Sequence, residues 1–293
     1  IDMTGHKLTL NATNVNPEKR RPANGIIVES ENLNIKNVNG LDININNSER
    51  SKGIYVVGMP SQGQWDNGKG NAHLTIENDD DMKNAVKIRF NNCTDVHSGI
   101  YVYGNSGTAK LDILGNVDIE VGNGGDAIRV ERGDAYIGGG KITAFDADRD
   151  ALYVRSGNLL VNAELGEDGV ISAAKGNRDV IINGDIAVET DKQSSQVSVA
   201  LNTANSVFKG GIKHVDAGGK ANLLLANKAL WENGSKDSKF TGSVVDQFVG
   251  GCNKDNAGYI KQNDTNNLVF NSYSGNAVIM YEHTGNGTEA SHY

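Results

Sequence analysis

Apolar and polar residues alternate in short runs along this chain, and one run keeps returning. Gly53-Ile54-Tyr55-Val56 recurs identically as Gly99-Ile100-Tyr101-Val102. Ala127-Ile128-Arg129-Val130 and Ala151-Leu152-Tyr153-Val154 are close variants. Gly25-Ile26-Ile27-Val28 precedes them, and Val180-Ile181-Ile182 follows in weaker form. Starts at 25, 53, 99, 127, 151 and 180 give steps of 28, 46, 28, 24 and 29 residues. The long step is nearly two periods, or one period with an insertion. Alternation of period two marks strands with one buried face. A strand recurring at such a period marks a stack of coils, each resting on the one before.

Two further strands follow each ladder run. Residues 25–29, 32–36 and 41–45 form one set; 99–103, 109–113 and 117–121 another. Residues 127–130, 135–137 and 141–145 follow, then 151–154, 159–163 and 170–173. Every intervening turn holds Gly, Asn or Asp, as tight corners need. Three strands per period predict an all-β fold: a right-handed single-stranded parallel β-helix (a pectin-lyase-like three-sided solenoid) of ten or more coils. Residues 1–293 read as one such solenoid. Coils are regular over 1–205, with insertions at about 60–71 (with Trp65) and 79–95 (with Asp79-Asp80-Asp81), and more loosely spaced over 206–293. Leu223, Leu224, Leu225 and Leu230 hint at a helix. Gly218-Gly219 before them and short apolar runs on both sides make strands the better reading.

Composition fits many short segments. The chain has 36 Gly and only 3 Pro, and Asn is as plentiful as Gly. These residues fill turns and tolerate left-handed backbone. At 6% aromatic and 38% hydrophobic, the core is thin and continuous. A net charge of −8 argues against nucleic acid, which is bound by neutralising phosphates. The one basic run, Lys19-Arg20-Arg21, sits between Pro17 and Pro22 as a solvated loop. No segment is long and apolar enough for a membrane helix, and no signal peptide opens the chain. Cys93 and Cys252 fall several coils apart. A disulfide needs Cα atoms within about 7 Å, so two free thiols are expected.

The C-terminal part resembles the passenger domain of a bacterial autotransporter (type V secretion). The likeness is carried by Phe240-Thr241-Gly242-Ser243, Phe248-Val249-Gly250-Gly251, Gly258-Tyr259-Ile260-Lys261-Gln262, Asn271-Ser272-Tyr273-Ser274-Gly275 and Tyr281-Glu282-His283-Thr284-Gly285-Asn286-Gly287. It is firmest over 205–293; over 25–190 it rests on the repeat. The resemblance implies a β-helix displayed on the cell surface or secreted through the outer membrane, with any membrane attachment through a C-terminal translocator barrel beyond this chain. It implies adhesion or self-association among the possible jobs, and the chain then reads as a piece of a longer protein. The two cysteines depart from the family habit. Implied partners are a host surface glycan, an extracellular-matrix protein, or another copy on a neighbouring cell. No cofactor and no metal is expected.

Candidate chemistry is sparse. Asp146, Asp148 and Asp150 are the nearest approach to an acid–base pair, which needs carboxylates about 5–10 Å apart. They occupy the corner before the Ala151 strand, and Asp126 and Asp179 are read as occupying the same corner in neighbouring copies. Side-chain-to-backbone bonding in a turn explains a repeated corner Asp. Ser98 follows His97, but adjacent residues of a strand face opposite ways. The six His are scattered without ligand spacing. Arg132-Gly133-Asp134 spells an integrin-type tripeptide, at the corner that reads Arg155-Ser156-Gly157-Asn158 one coil later. No catalytic residue is assigned. A polysaccharide lyase or hydrolase of β-helix fold is the enzymatic alternative, and a structural stalk the third reading.

The ladder itself carries the best candidate. If Ile54, Val56, Ile100, Val102, Ile128, Val130, Leu152 and Val154 point inward, then Ile27, Tyr55, Tyr101, Arg129 and Tyr153 point outward. Glu29, Val57, Tyr103, Glu131 and Arg155 lie beside them. Stacked coils would align these into an exposed aromatic and charged stripe. Tyr and Arg are enriched at binding hot spots; cross-strand aromatic pairing that stabilises the sheet is the competing explanation. Tyr55, Tyr101, Tyr103, Arg129, Tyr153 and Arg155 are therefore the candidate ligand-binding residues.

Overall fold

The computed structural model describes residues 1–15, 22–59, 70–176, 178–191, 194–263 and 265–282. Lys19-Arg20-Arg21, most of the 60–71 insertion with Trp65, and His283 to Gly287 lie outside the described residues. The rest is a three-sided parallel β-helix. The first face takes seven strands, from Asn24–Glu29 to Ile212–His214, and two more, Gly242–Val245 and Asn267–Phe270, continue its line. That makes nine coils among the described residues, preceded by the third-face strand Leu8–Thr13, so that the third face has ten rungs.

The registers explain the repeat. On the first face Ile26, Ile54, Ile100, Ile128, Leu152, Ile186 and Ile212 pair coil to coil in one row. Val28, Val56, Val102, Val130, Val154 and Val188 form the parallel row. On the third face Leu10, Ile43, Ile88, Ile119, Ile142, Ile182, Phe208, Trp231, Ile260 and Ile279 make one continuous row. Like side chains stack at roughly 4.8 Å, and most of these residues are fully buried. Burying each contributes roughly 1.5–3 kcal/mol. The core is thus one column rather than a sphere.

Lys52–Gly58 pairs directly with Ser98–Gly104, so the 46-residue step is one period with an insertion. Val86–Asn91, inside the 79–95 region, is a regular third-face strand. Two readings are corrected. Val180–Asn183 is not a ladder copy but a third-face strand; the ladder continues at Asp185–Glu189. Residues 170–173 are not the third strand of their coil. Ile171–Ala173 forms an antiparallel hairpin with Ala163–Leu165. Ile171 packs with Ala200 and Leu224, outward residues of the second face, and its N–H donates to Gln247 at 2.7 Å. Apolar residues on the outside of that face give the hairpin something to cover, and strand alternation does not reveal this. The Leu223–Leu225 segment is strand, as read, within Gly219–Leu225.

Corners are made by residues that accept positive φ. Asn47, Asn92, Asn123, Asn162 and Asn227 do so, as does Gly140 at φ +104°. A Cβ on Gly140 would lie 2.1 Å from the Val117 carbonyl oxygen, so no side chain fits there. Both cysteines are free, Cys93 buried and Cys252 exposed. No helix of the described residues is long and apolar enough to cross a membrane.

Candidate functional site

Pairing places Ile27, Tyr55, Tyr101, Arg129, Tyr153, Ala187 and Lys213 in one outward row of the first face. Glu29, Val57, Tyr103, Glu131, Arg155 and Glu189 form the next. The two rows are therefore aligned as the repeat predicts, and the structure brings all six candidate residues together. Exposure differs from expectation. Tyr55, Tyr103, Arg129, Tyr153 and Arg155 are half-buried, while Tyr101 is only 7% exposed and Val57 is buried.

Mutual contact is the reason. The Tyr101 ring stacks on Tyr55 at 5.3 Å and on Tyr103 at 5.6 Å, with His97 tilted against it at 4.6 Å. Its hydroxyl donates to Glu131 at 2.9 Å. Lys52 Nζ lies 4.9 Å from the Tyr55 ring centroid. One coil on, the Arg129 guanidinium lies 4.2 Å over the Tyr153 ring and donates to Asp126 and Glu131. The Tyr153 hydroxyl donates to Glu189, which also pairs with Arg155 at 3.5 Å. The stripe is one continuous network whose side chains hold one another rigid.

The network perturbs its own ionisation. Burial, then the Glu131 carboxylate, raises the Tyr101 phenol above its usual range. Burial, then the hydrogen bond to Glu189, does the same for Tyr153. Burial opposes charge on Arg129, but Glu131 and Asp126 raise its pKa nonetheless. Burial, helped by Lys52 and Arg129, depresses His97 to about 4, so it is neutral at pH 7. His97 and Ser98 do touch, Nδ1 to Oγ at 3.1 Å, contrary to the alternation argument, because the strand begins only at Ser98. Ser98 is fully buried, with no access for a substrate.

The corner acids are occupied by structure. Asp126 accepts the Asp150 N–H at 3.1 Å, Asp185 the Gly211 N–H at 2.9 Å, and Asp146 the Gly124 N–H at 2.6 Å. The corner equivalent to Asp126 and Asp150 is held by Asp185, not Asp179; Asp179 instead accepts from Thr203 on another edge. Asp148 is exposed, while Asp150 is buried with Lys213 Nζ 2.7 Å away. Asp185 and Asp237 also face Lys213, at 3.1 and 3.8 Å. Burial pushes the Asp150 carboxyl up to about 7 against the pull of Lys213. No motif in the sequence marks Lys213 or Asp237; the coil register, which sets Lys213 two rungs above Tyr153, is the one signal for the first.

Arg132-Gly133-Asp134 is built into the wall. Arg132 holds φ +54° and pairs with Asp191, Gly133 is buried, and Asp134 accepts from Asn158 at 2.7 Å. Among the described residues no His, Cys, Asp and Glu side chains cluster in a way that could hold a metal. The chain matches no protein-family model, no curated protein and no solved structure.

Proposed function

We propose that this chain is a binding solenoid of the adhesin kind, displayed on a bacterial surface, whose first face engages a host glycan, a matrix protein or a second copy of itself. One observation carries this reading. Tyr55, Tyr103, Tyr153 and Arg155 keep half-exposed faces while Tyr101 stacks on Tyr55 and Tyr103, Arg129 lies over Tyr153 and Glu189 holds Arg155. A platform ordered before binding loses little side-chain entropy on contact. Aromatic faces suit sugar rings and apolar side chains alike, and Arg suits carboxylates and sulfates. The autotransporter-like run in the last coils supports surface display. Its Phe240 to Ser243 segment opens the eighth coil, and Gly258 to Gln262 forms that coil's third-face strand.

The test is a glycan and matrix-protein array read with the whole chain and with Tyr55, Tyr103 and Tyr153 replaced by Ser, together with settling of cells that display each. Loss of the bound signal or of settling, with the β circular dichroism unchanged, is the expected result. Undiminished binding and settling would overturn the reading.

A further inference from the structure

The edge where the third face turns into the first is uneven along the helix axis. Two turns there are single glycines, Gly184 and Gly211, the second covered by the Phe240 ring. The turns flanking them are longer, residues 145–149 on one side and 234–241 on the other. Short corners between long ones leave a saddle. It is an open groove of about 340 Å³, floored by Gly184 and Gly210 and running from Ala144 to Glu282. Five coil steps at about 4.8 Å make it roughly 24 Å long, the shape for an extended chain rather than a compact ligand.

Most charges along the groove are already matched. Lys209 pairs with Glu232 and Lys261 with Glu282, both at 3.2 Å. Asp185 is held by Lys213, and Asp146 accepts the Gly124 N–H. Among the described residues Arg149 and Lys236 alone of the groove's cations pair with no carboxylate, and the Arg149 Nε is buried without a hydrogen-bond acceptor. A planar guanidinium lacking a partner suits a bidentate carboxylate or sulfate. A peptide would dock by adding a strand to a free sheet edge, but the walls here are corners with no edge to offer. Ser235 and Asn263 also line it, held by the chain itself: Ser235 donates to Asp185, and the Asn263 side-chain oxygen accepts from Thr265 and Asn266.

We propose that this groove binds an anionic saccharide chain, with Arg149 and Lys236 receiving its carboxylate or sulfate groups. The site stands apart from the aromatic stripe and does not depend on it. Titration calorimetry of the whole chain with heparin (sulfated), polygalacturonate (carboxylated) and dextran (neutral) tests it. At least one anionic polymer should bind and dextran should not; which one binds tells sulfate from carboxylate. Combined Arg149→Gln and Lys236→Gln should weaken binding about tenfold or more, the scale of a lost charge-assisted contact. Lys220→Gln, outward on the second face, should leave it unchanged. Failure of both anionic polymers to bind, an undiminished double variant, or an equal loss in Lys220→Gln would overturn the proposal.

Discussion

The two ends of this solenoid put their aromatic residues on opposite sides of the same wall. In the coils up to residue 155 the core rows are aliphatic apart from the partly buried Phe90, and the rings of Tyr55, Tyr101, Tyr103 and Tyr153 stand outside. Beyond residue 205 three rings are fully buried in the core, while Tyr273 and Tyr281 stay exposed. Phe208 stacks on Trp231 at 5.7 Å, and Phe248 on Tyr273 at 5.3 Å, with Phe208, Trp231 and Phe248 fully buried. Past Tyr153 the outward ladder row continues as Ala187 and Lys213. An inward ring takes the place of Ile in a row of fixed spacing. An outward ring adds contact area without changing the core. One backbone thus uses the same residue type for stability at one end and for a surface at the other.

The sharpest way to break this contrast is Trp231→Ala. It empties a fully buried site and loses the Nε1 hydrogen bond to the Gly210 carbonyl at 2.9 Å. Denaturant unfolding should show a loss of about 3–5 kcal/mol. Gly140→Ala, in the aliphatic part, forces a side chain against the Val117 carbonyl at positive φ. A loss of about 2 kcal/mol is expected from the same measurement.

Smaller effects come from pH. Between about pH 4 and 7 Asp150 binds a proton in the folded chain and not in the unfolded one, so stability falls as pH rises through that window. His97, depressed to about 4, does the reverse: the unfolded chain binds the extra proton, so stability rises with pH between about 4 and 6.5. Asp150→Asn should therefore steepen the rise and His97→Gln should deepen the fall, read from melting temperatures across pH 4 to 8. The smallest effect belongs to Tyr55→Ser, which loses one cross-strand pair and about 1 kcal/mol or less. If it cost as much as Trp231→Ala, the outer rings would be core residues and the contrast would fail.

Much of this was legible in the residues. Alternation within Gly-Ile-Tyr-Val separates inner from outer positions, and copies at matched spacing align them, so the Tyr and Arg stripe follows with no coordinates. The regular coils were read best because each repeats its neighbour. Errors fell where the repeat is interrupted. The hairpin of residues 163–173 displaced the true third strand to Val180–Asn183, and the ladder copy was then sought one strand too early. Parity puts Tyr101 outside, and it is; its burial comes from the Tyr55 ring one coil away and from the Tyr103 and His97 rings of its own coil. The groove was invisible because it is defined by which corners are short and which long, once they are stacked.

The sequence by itself determined the three-sided coil, the inward Ile and Val rows, the outward Tyr and Arg rows and the free cysteines, because each follows from strand parity and a repeated period. Tertiary structure alone decided what those side chains touch. Residues dozens of positions apart become neighbours one rung away, so Lys213 closes on Asp150 and Asp185, Arg132 finds Asp191, and Arg149 is left without a partner at the rim of a saddle. Parity sets the direction of a side chain, but its partners depend on how many residues each corner spends before the next coil begins.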